Sequence, residues 1–419
     1  MSTNHNFVQA PHKLLMIPGP IEVTDEVLYA NAHPPMHLLS SDFASVFGEC
    51  ICMTRNILYS KDAQPFLMAG SGTLGWDQVS ANLLEPDENA LVLNCGYFGD
   101  GFADCLQTYG VKVDQLKAEV GGTVKQSDIE VALKSKKYKL ITATHVDTST
   151  AVLSDIKGVA EVVRKVSPDT LVVVDAVCSV ASEEIQMDAW GIDAVLTASQ
   201  KGLGTPPGLS IVVASQKAIK ALENRSTPVR AYYASWKKWL PIMKAYEADT
   251  AAYFAAPPVN LIYAYHASLS HITQGPVSLE ERFKAHKDAS RRFKKAAEDL
   301  GFKGVPFSEE VSANGMTALY FPDGLVGSDI IPRLLEQGIV VAGGIHSSIK
   351  GQLRMTCSDF HLSELLTVNL AILIDKYFRI GHMGVSVVDP KRGDIDIVIK
   401  ALAKTLKEAK APKLLIETR

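Results

Sequence analysis

The sequence predicts an α/β protein: a mostly parallel sheet with helical crossovers, closed by a smaller α+β unit. Three observations carry this prediction. Short apolar, β-branched runs alternate with helix-like segments over the first half of the chain. From about residue 257 the rhythm changes to long helices followed by a few short strands. Finally, an acid, a glycine loop and a lysine suited to chemistry fall at the ends of predicted strands, where open α/β sheets bind their ligands.

Taken in order, Leu14-Leu15-Met16-Ile17 is a short apolar run stopped by Pro18-Gly19-Pro20, a stiff turn able to aim backbone groups into a cleft. Helices are expected from Thr24 and over about 42–59, then a strand at 65–69 and a helix over 76–84. Strands follow at 90–93 and 139–143, a helix at Ile156–Val166, and strands at Leu171–Asp175, 194–197 and 209–213. Every residue of Leu171-Val172-Val173-Val174 is apolar, which marks a strand buried on both faces. The chain then reads as helical from 257 to 300, and its charged part, 280–299, is expected to be a solvated helix face and not a binding patch. Strands at 317–321 and 339–341 and an amphipathic helix over 395–408 complete the smaller unit.

With 47% hydrophobic and 21% charged residues, a chain of 419 residues can bury a large core, which argues against disorder. A net charge of −4 implies no broad basic surface, so no nucleic-acid partner is expected. No apolar run reaches transmembrane length, and no membrane partner is expected either. Cys50, Cys52, Cys95, Cys105, Cys178 and Cys357 include no C-x-x-C pair and read as reduced thiols of an intracellular protein; no metal site is expected. Residues 1–13 lack the apolar core of a secretory signal and the arginine of a mitochondrial presequence, and the last residues are not Ser-Lys-Leu. The expected compartment is the cytoplasm, with the mitochondrion as second choice.

Two features point to chemistry. Gly70-Ser71-Gly72-Thr73-Leu74-Gly75 lies between a predicted strand and a helix, an outline that presents backbone amides and a positive helix end to a phosphate. The loop also fits G-x-G-x-x-G, but the next strand ends in Asn94 and Cys95 where a dinucleotide site needs an acid for the ribose. A smaller phosphate ester therefore fits better than NAD, and an NAD-linked oxidoreductase is kept as a rival. The second feature is Asp175 at a strand end, followed 26 positions later by Lys201 after another apolar run. A buried acid that keeps a pyridine nitrogen protonated and a lysine that forms a Schiff base together suit pyridoxal 5′-phosphate (PLP). On these residues alone, a PLP site and a salt bridge beside a Gly/Pro loop both stay open.

Longer motifs carry a resemblance. They are Leu15-Met16-Ile17-Pro18-Gly19-Pro20, Ala69-Gly70-Ser71-Gly72-Thr73-Leu74-Gly75-Trp76-Asp77, Thr144-His145-Val146-Asp147-Thr148-Ser149-Thr150, Val174-Asp175-Ala176-Val177-Cys178-Ser179, Thr197-Ala198-Ser199-Gln200-Lys201 and Arg379-Ile380-Gly381-His382-Met383-Gly384. In this order the chain resembles the class V, fold-type I PLP aminotransferases, most of all their fungal alanine–glyoxylate branch. The resemblance implies a seven-stranded large-domain sheet with helices on both faces. It also implies an arm at 1–25, a large PLP-binding domain at 26–265, a small domain at 266–419, and a homodimer.

The resemblance further implies roles. Lys201 would be the Schiff-base lysine and proton carrier, with Asp175 at the pyridine nitrogen. Gly72, Thr73 and Gln200 would bind the phosphate, Phe98 would stack on the ring and Thr148 would add a hydroxyl contact. Tyr253 would reach the phosphate from the partner subunit, Arg379 would clamp the substrate carboxylate, and Gly19 would lie beside the substrate. The implied reaction transfers the amino group of alanine to glyoxylate, giving pyruvate and glycine, with serine as the near alternative donor. A PLP-fold scaffold without activity is the rival from another class.

Two departures from the pattern stand out. Ala256 in Tyr253-Phe254-Ala255-Ala256-Pro257-Pro258 replaces a usual threonine, removing one phosphate hydrogen bond. A segment of about 351–374 has no family counterpart and separates Gly343-Gly344-Ile345-His346 from Arg379, leaving Arg354 as a rival for the carboxylate clamp.

Overall fold

The computed structural model describes residues 7–349 and 376–410. The segment at 351–374, Arg354 and Cys357 lie outside the described residues.

A seven-stranded sheet forms the centre of the large unit, in the order Gln64–Ala69, Leu209–Ala214, Ala194–Ala198, Leu171–Asp175, Leu140–Thr144, Asn89–Asn94 and Lys112–Lys117. Leu209–Ala214 runs antiparallel to both neighbours, and the remaining pairings are parallel. Leu171–Asp175 sits in the middle with all five residues buried. Fully burying each of its aliphatic side chains is worth about 1.5–3 kcal/mol, so the register that brings Asp175 to the sheet's carboxyl edge is strongly specified.

Helices cover the sheet with local signals that explain their starts. Asp155 caps Ile156–Val166 by accepting from the Gly158 amide at 2.9 Å. Ser278 and Glu281 form a capping box on Leu279–Asp299. That helix is separate from Val259–Thr273, so the expected continuous helical run is broken at 274–278. The expected solvated face at 280–299 is present, with Glu281, Lys284, Asp288, Arg291, Lys295 and Glu298 exposed, while the opposite face buries Arg282, His286 and Ser290, spaced by one turn. Arg282 donates to the carbonyls of Ala181 and Gly202, both at 2.8 Å, and so braces the loop that follows Lys201.

The smaller unit has its own core, including Phe293, Phe302, Ile330, Leu334, Phe378 and Leu402. Its antiparallel sheet has the order Lys303–Gly304, Met316–Tyr320, Tyr377–Gly381 and Ala342–Gly343. The expected strand at 339–341 divides. Ile339–Val340 pairs in parallel with Leu14–Leu15, which ties the N-terminal segment to this unit through Met16. Asp394–Lys410 is the closing helix. Among the described residues, no helix is long and apolar enough to cross a membrane. Cys50, Cys95 and Cys178 are buried thiols, but Cys52 is exposed.

Candidate active site

The carboxyl ends of the parallel strands enclose a cavity of about 220 Å³. It brings together Gly19, Gly72, Thr73, Phe98, Thr148, Asp175, Gln200 and Lys201, eight of the sequence-predicted positions, and adds Trp76 and Cys178 to them. Tyr253 and Arg379 are not among the lining residues. Tyr253 is 61% exposed.

One wall is the glycine loop. Gly72 starts the Thr73–Leu83 helix without a side-chain cap; the Leu74 and Gly75 amides donate back to the Ser71 and Gly72 carbonyls at 3.1 and 2.8 Å, which leaves the Gly72 and Thr73 amides for an external acceptor. A Cβ at Gly72 would sit 3.0 Å from Val177 Cγ2 and 3.3 Å from Ala198 Cβ, so a larger residue would have to push these side chains aside for the loop to lie this close to the sheet. Opposite it, the Gln200 side-chain oxygen is buried without a hydrogen-bond partner, while the Gln200 carbonyl accepts from the Ile21 amide at 3.1 Å.

The floor is Asp175. Its Oδ2 accepts from the Trp76 indole N–H at 2.8 Å and its Oδ1 from the Val177 amide at 3.1 Å. Burial pushes its carboxyl up to about 6, against the two hydrogen bonds and the nearby Lys201 ammonium, which favour the ionised form. Lys201 is 9% exposed and donates to the Pro18 carbonyl at 2.7 Å. Burial lowers its pKa, and the Arg379 charge adds to that effect, so the amine loses its proton more readily than an exposed lysine. Phe98 is half-buried and meets Trp76 edge-on, with ring centroids 6.4 Å apart.

Arg379 lies on the central strand of the small sheet, in register with Ala318 and Ala342, and is buried. Its Nε donates to the Gly343 carbonyl at 2.8 Å and its Nη1 to the Thr148 carbonyl at 3.2 Å. The strand is therefore fully incorporated in the sheet although it follows the 351–374 segment in sequence.

Residues 22–371 match the aminotransferase class-V family. The chain belongs to that family. Among its class-V relatives, alanine–glyoxylate aminotransferase 1 of Saccharomyces cerevisiae is 40% identical over 89% of this chain and 92% of its own length. The serine–glyoxylate aminotransferase of Methylorubrum extorquens is 27% identical over 88% and 86%. The crystal structure of an alanine–glyoxylate aminotransferase from Nostoc sp. superposes with a TM-score of 0.82 at 27% identity, covering 96% of this chain and 98% of that one.

Class-V aminotransferases work with PLP, and the cavity fits that group on its own chemistry. It offers uncapped amides for a phosphate, a buried carboxylate for a pyridine nitrogen, and an amine of lowered pKa for an aldehyde. Sequence reasoning quoted Trp76 in a motif and assigned it no role. Its position at the fourth residue of the helix that opens on the phosphate loop, one turn from Gly72, was the available signal.

Proposed function

We propose that the protein transfers the amino group of alanine to glyoxylate, yielding pyruvate and glycine, as a homodimer with PLP in the cavity around Lys201. The observation that carries the proposal is the convergence of Lys201, Asp175 and the Gly72–Thr73 loop on one cavity in a class-V chain 40% identical to a yeast alanine–glyoxylate aminotransferase.

In this reading Gly72, Thr73 and Gln200 hold the phosphate, and Tyr253 of the partner subunit completes its shell. Asp175 would keep the ring nitrogen protonated, Phe98 would lie against the ring, and Thr148 would add a polar contact. Bound there, PLP supplies the aldehyde carbon that accepts the amino group and the electron-withdrawing ring that makes the substrate Cα proton acidic. Lys201 would be the base that takes up the substrate Cα proton, a task its lowered pKa suits. Arg379 pairs with the substrate carboxylate. Gly19, with no side chain, leaves the space that the Lys201 side chain occupies.

Serine is the second donor, favoured by the likeness to a serine–glyoxylate aminotransferase. Supplying glyoxylate with either alanine or serine and measuring glycine together with pyruvate or hydroxypyruvate decides between them. Alanine is expected to give the larger kcat/KM. Glycine formed only from serine would overturn the donor assignment.

A further inference from the structure

Trp76 lies against the one carboxylate on the floor of the cavity. The two oxygens of Asp175 each have a protein donor, the Trp76 indole N–H on Oδ2 at 2.8 Å and the Val177 amide on Oδ1 at 3.1 Å. Two donors on two oxygens fix the plane of a carboxylate as one could not. Of the two, only Trp76 comes from outside the Asp175 strand and its turn.

The indole is itself held in place. It stacks on Phe102 with centroids 5.6 Å apart and planes 14° from parallel, and it meets Phe98 edge-on. A Cβ at Gly101, in the Tyr97–Thr108 helix, would come 2.9 Å from its outer edge, so that helix can pass only where it carries a glycine. Trp76 is 8% exposed and Asp175 3%, so neither group has bulk water as a substitute partner. A hydrogen bond to a buried charged group is worth more than a neutral one, and losing it leaves the charge poorly solvated. The other charges acting on Asp175 are Lys201, which favours its ionised form, and Asp147, which opposes it.

We propose that Trp76 is a positioning residue that acts through Asp175: its indole N–H aims the carboxylate and keeps it ionised for the ring nitrogen of the cofactor. The proposal rests on the PLP reading of the cavity. It makes the phosphate-loop helix do two jobs, offering amides to the phosphate at its first turn and a donor to the acid one turn later.

The test is a binding cycle on Trp76→Phe, which keeps a ring against Phe102 and removes the N–H. Affinity is measured for PLP and for its carbocyclic analogue, in which a C–H replaces the ring nitrogen and cannot bond to Asp175. Trp76→Phe is expected to raise the Kd for PLP about tenfold or more and to leave the Kd for the analogue within about twofold. Equal weakening of both ligands would reduce Trp76 to packing and overturn the proposal, as would unchanged affinity for both. Should Trp76→Phe not fold, the wild-type apoprotein carrying ¹⁵N-labelled indoles decides. With the other indole signals assigned by Trp190→Phe, Trp236→Phe and Trp239→Phe, the Trp76 N–H signal is expected to shift in Asp175→Asn, and a signal that this substitution leaves unmoved overturns the proposal. Wild-type protein that binds no PLP at all would instead defeat the PLP reading, a different outcome from any of these.

Discussion

Gly19 lies directly against Lys201. The Pro18 carbonyl accepts from Lys201 Nζ at 2.7 Å, and a Cβ built on Gly19 would come 2.4 Å from Cδ and 2.7 Å from Nζ of the same side chain. Gly19 also holds φ at +141°, a conformation that strains any residue with a side chain. Gly19→Ala is therefore expected to displace the lysine and lower kcat by about 100-fold or more, while the fold, followed by far-UV circular dichroism, stays intact. A variant with wild-type kcat would show that Lys201 does not need this space.

Asp175 predicts a trade between stability and function. Burial raises its carboxyl from 3.8 to about 6, so the folded apoprotein holds the proton more tightly than the unfolded chain. The stability this contributes is fully present below about pH 4 and is lost as the pH rises through about 6. The gap between the two values corresponds to about 3 kcal/mol. Apo Asp175→Asn has no charge to bury, and its Tm should exceed the wild-type value near pH 8 and match it near pH 4. Equal melting temperatures at both would show that Asp175 carries no buried charge.

The two candidates for the carboxylate clamp separate by kinetics. Arg379→Lys keeps a charge and loses the planar fork that pairs with a carboxylate. It is expected to raise KM for the amino donor by about 30-fold with the visible band of the bound cofactor unchanged, since each charged hydrogen bond is worth about 1.5–3 kcal/mol. Arg354→Ala should leave KM within about twofold. The opposite pattern would transfer the role to Arg354.

Ala256 tests the shared site. Ala256→Thr places a hydroxyl within the segment that carries Tyr253 and should tighten PLP binding about tenfold, read as the Kd from titration of the apoprotein. Unchanged affinity would mean that this segment does not reach the phosphate of a partner subunit.

How far the sequence could be read follows from where each signal lay. Leu171–Asp175 was legible because a strand buried on both faces must be apolar throughout, and Asp175 then stands out as the residue that breaks the run. The Gly72 loop was legible because glycines between strand and helix have few other uses. The edge strand Lys112–Lys117 was not, since its exposed residues are charged, as edge strands often are, and the run carries little apolar signal. The Trp236–Glu247 helix was masked by Pro241 within it. The reversed direction of Leu209–Ala214 has no local signature at all, because a strand's own residues do not encode its orientation. Trp76 and Asp175 are 99 residues apart, and their contact exists only once the helix and the strand have packed. The buried row of Arg282, His286 and Ser290 was hidden for a similar reason: polar residues at helical spacing look solvated until their partners, the Ala181 and Gly202 carbonyls for Arg282, the Gly384 amide for His286 and the Ala313 carbonyl for Ser290, are in view.

The most direct test of the account is the half-reaction at Lys201. PLP-loaded protein should show a visible absorbance band that is absent from Lys201→Ala. Adding alanine alone should convert the band to that of the aminated cofactor and release pyruvate, and adding glyoxylate should restore it and release glycine. Protein given excess PLP that shows no such band, or a band that alanine leaves unchanged, would contradict the assignment.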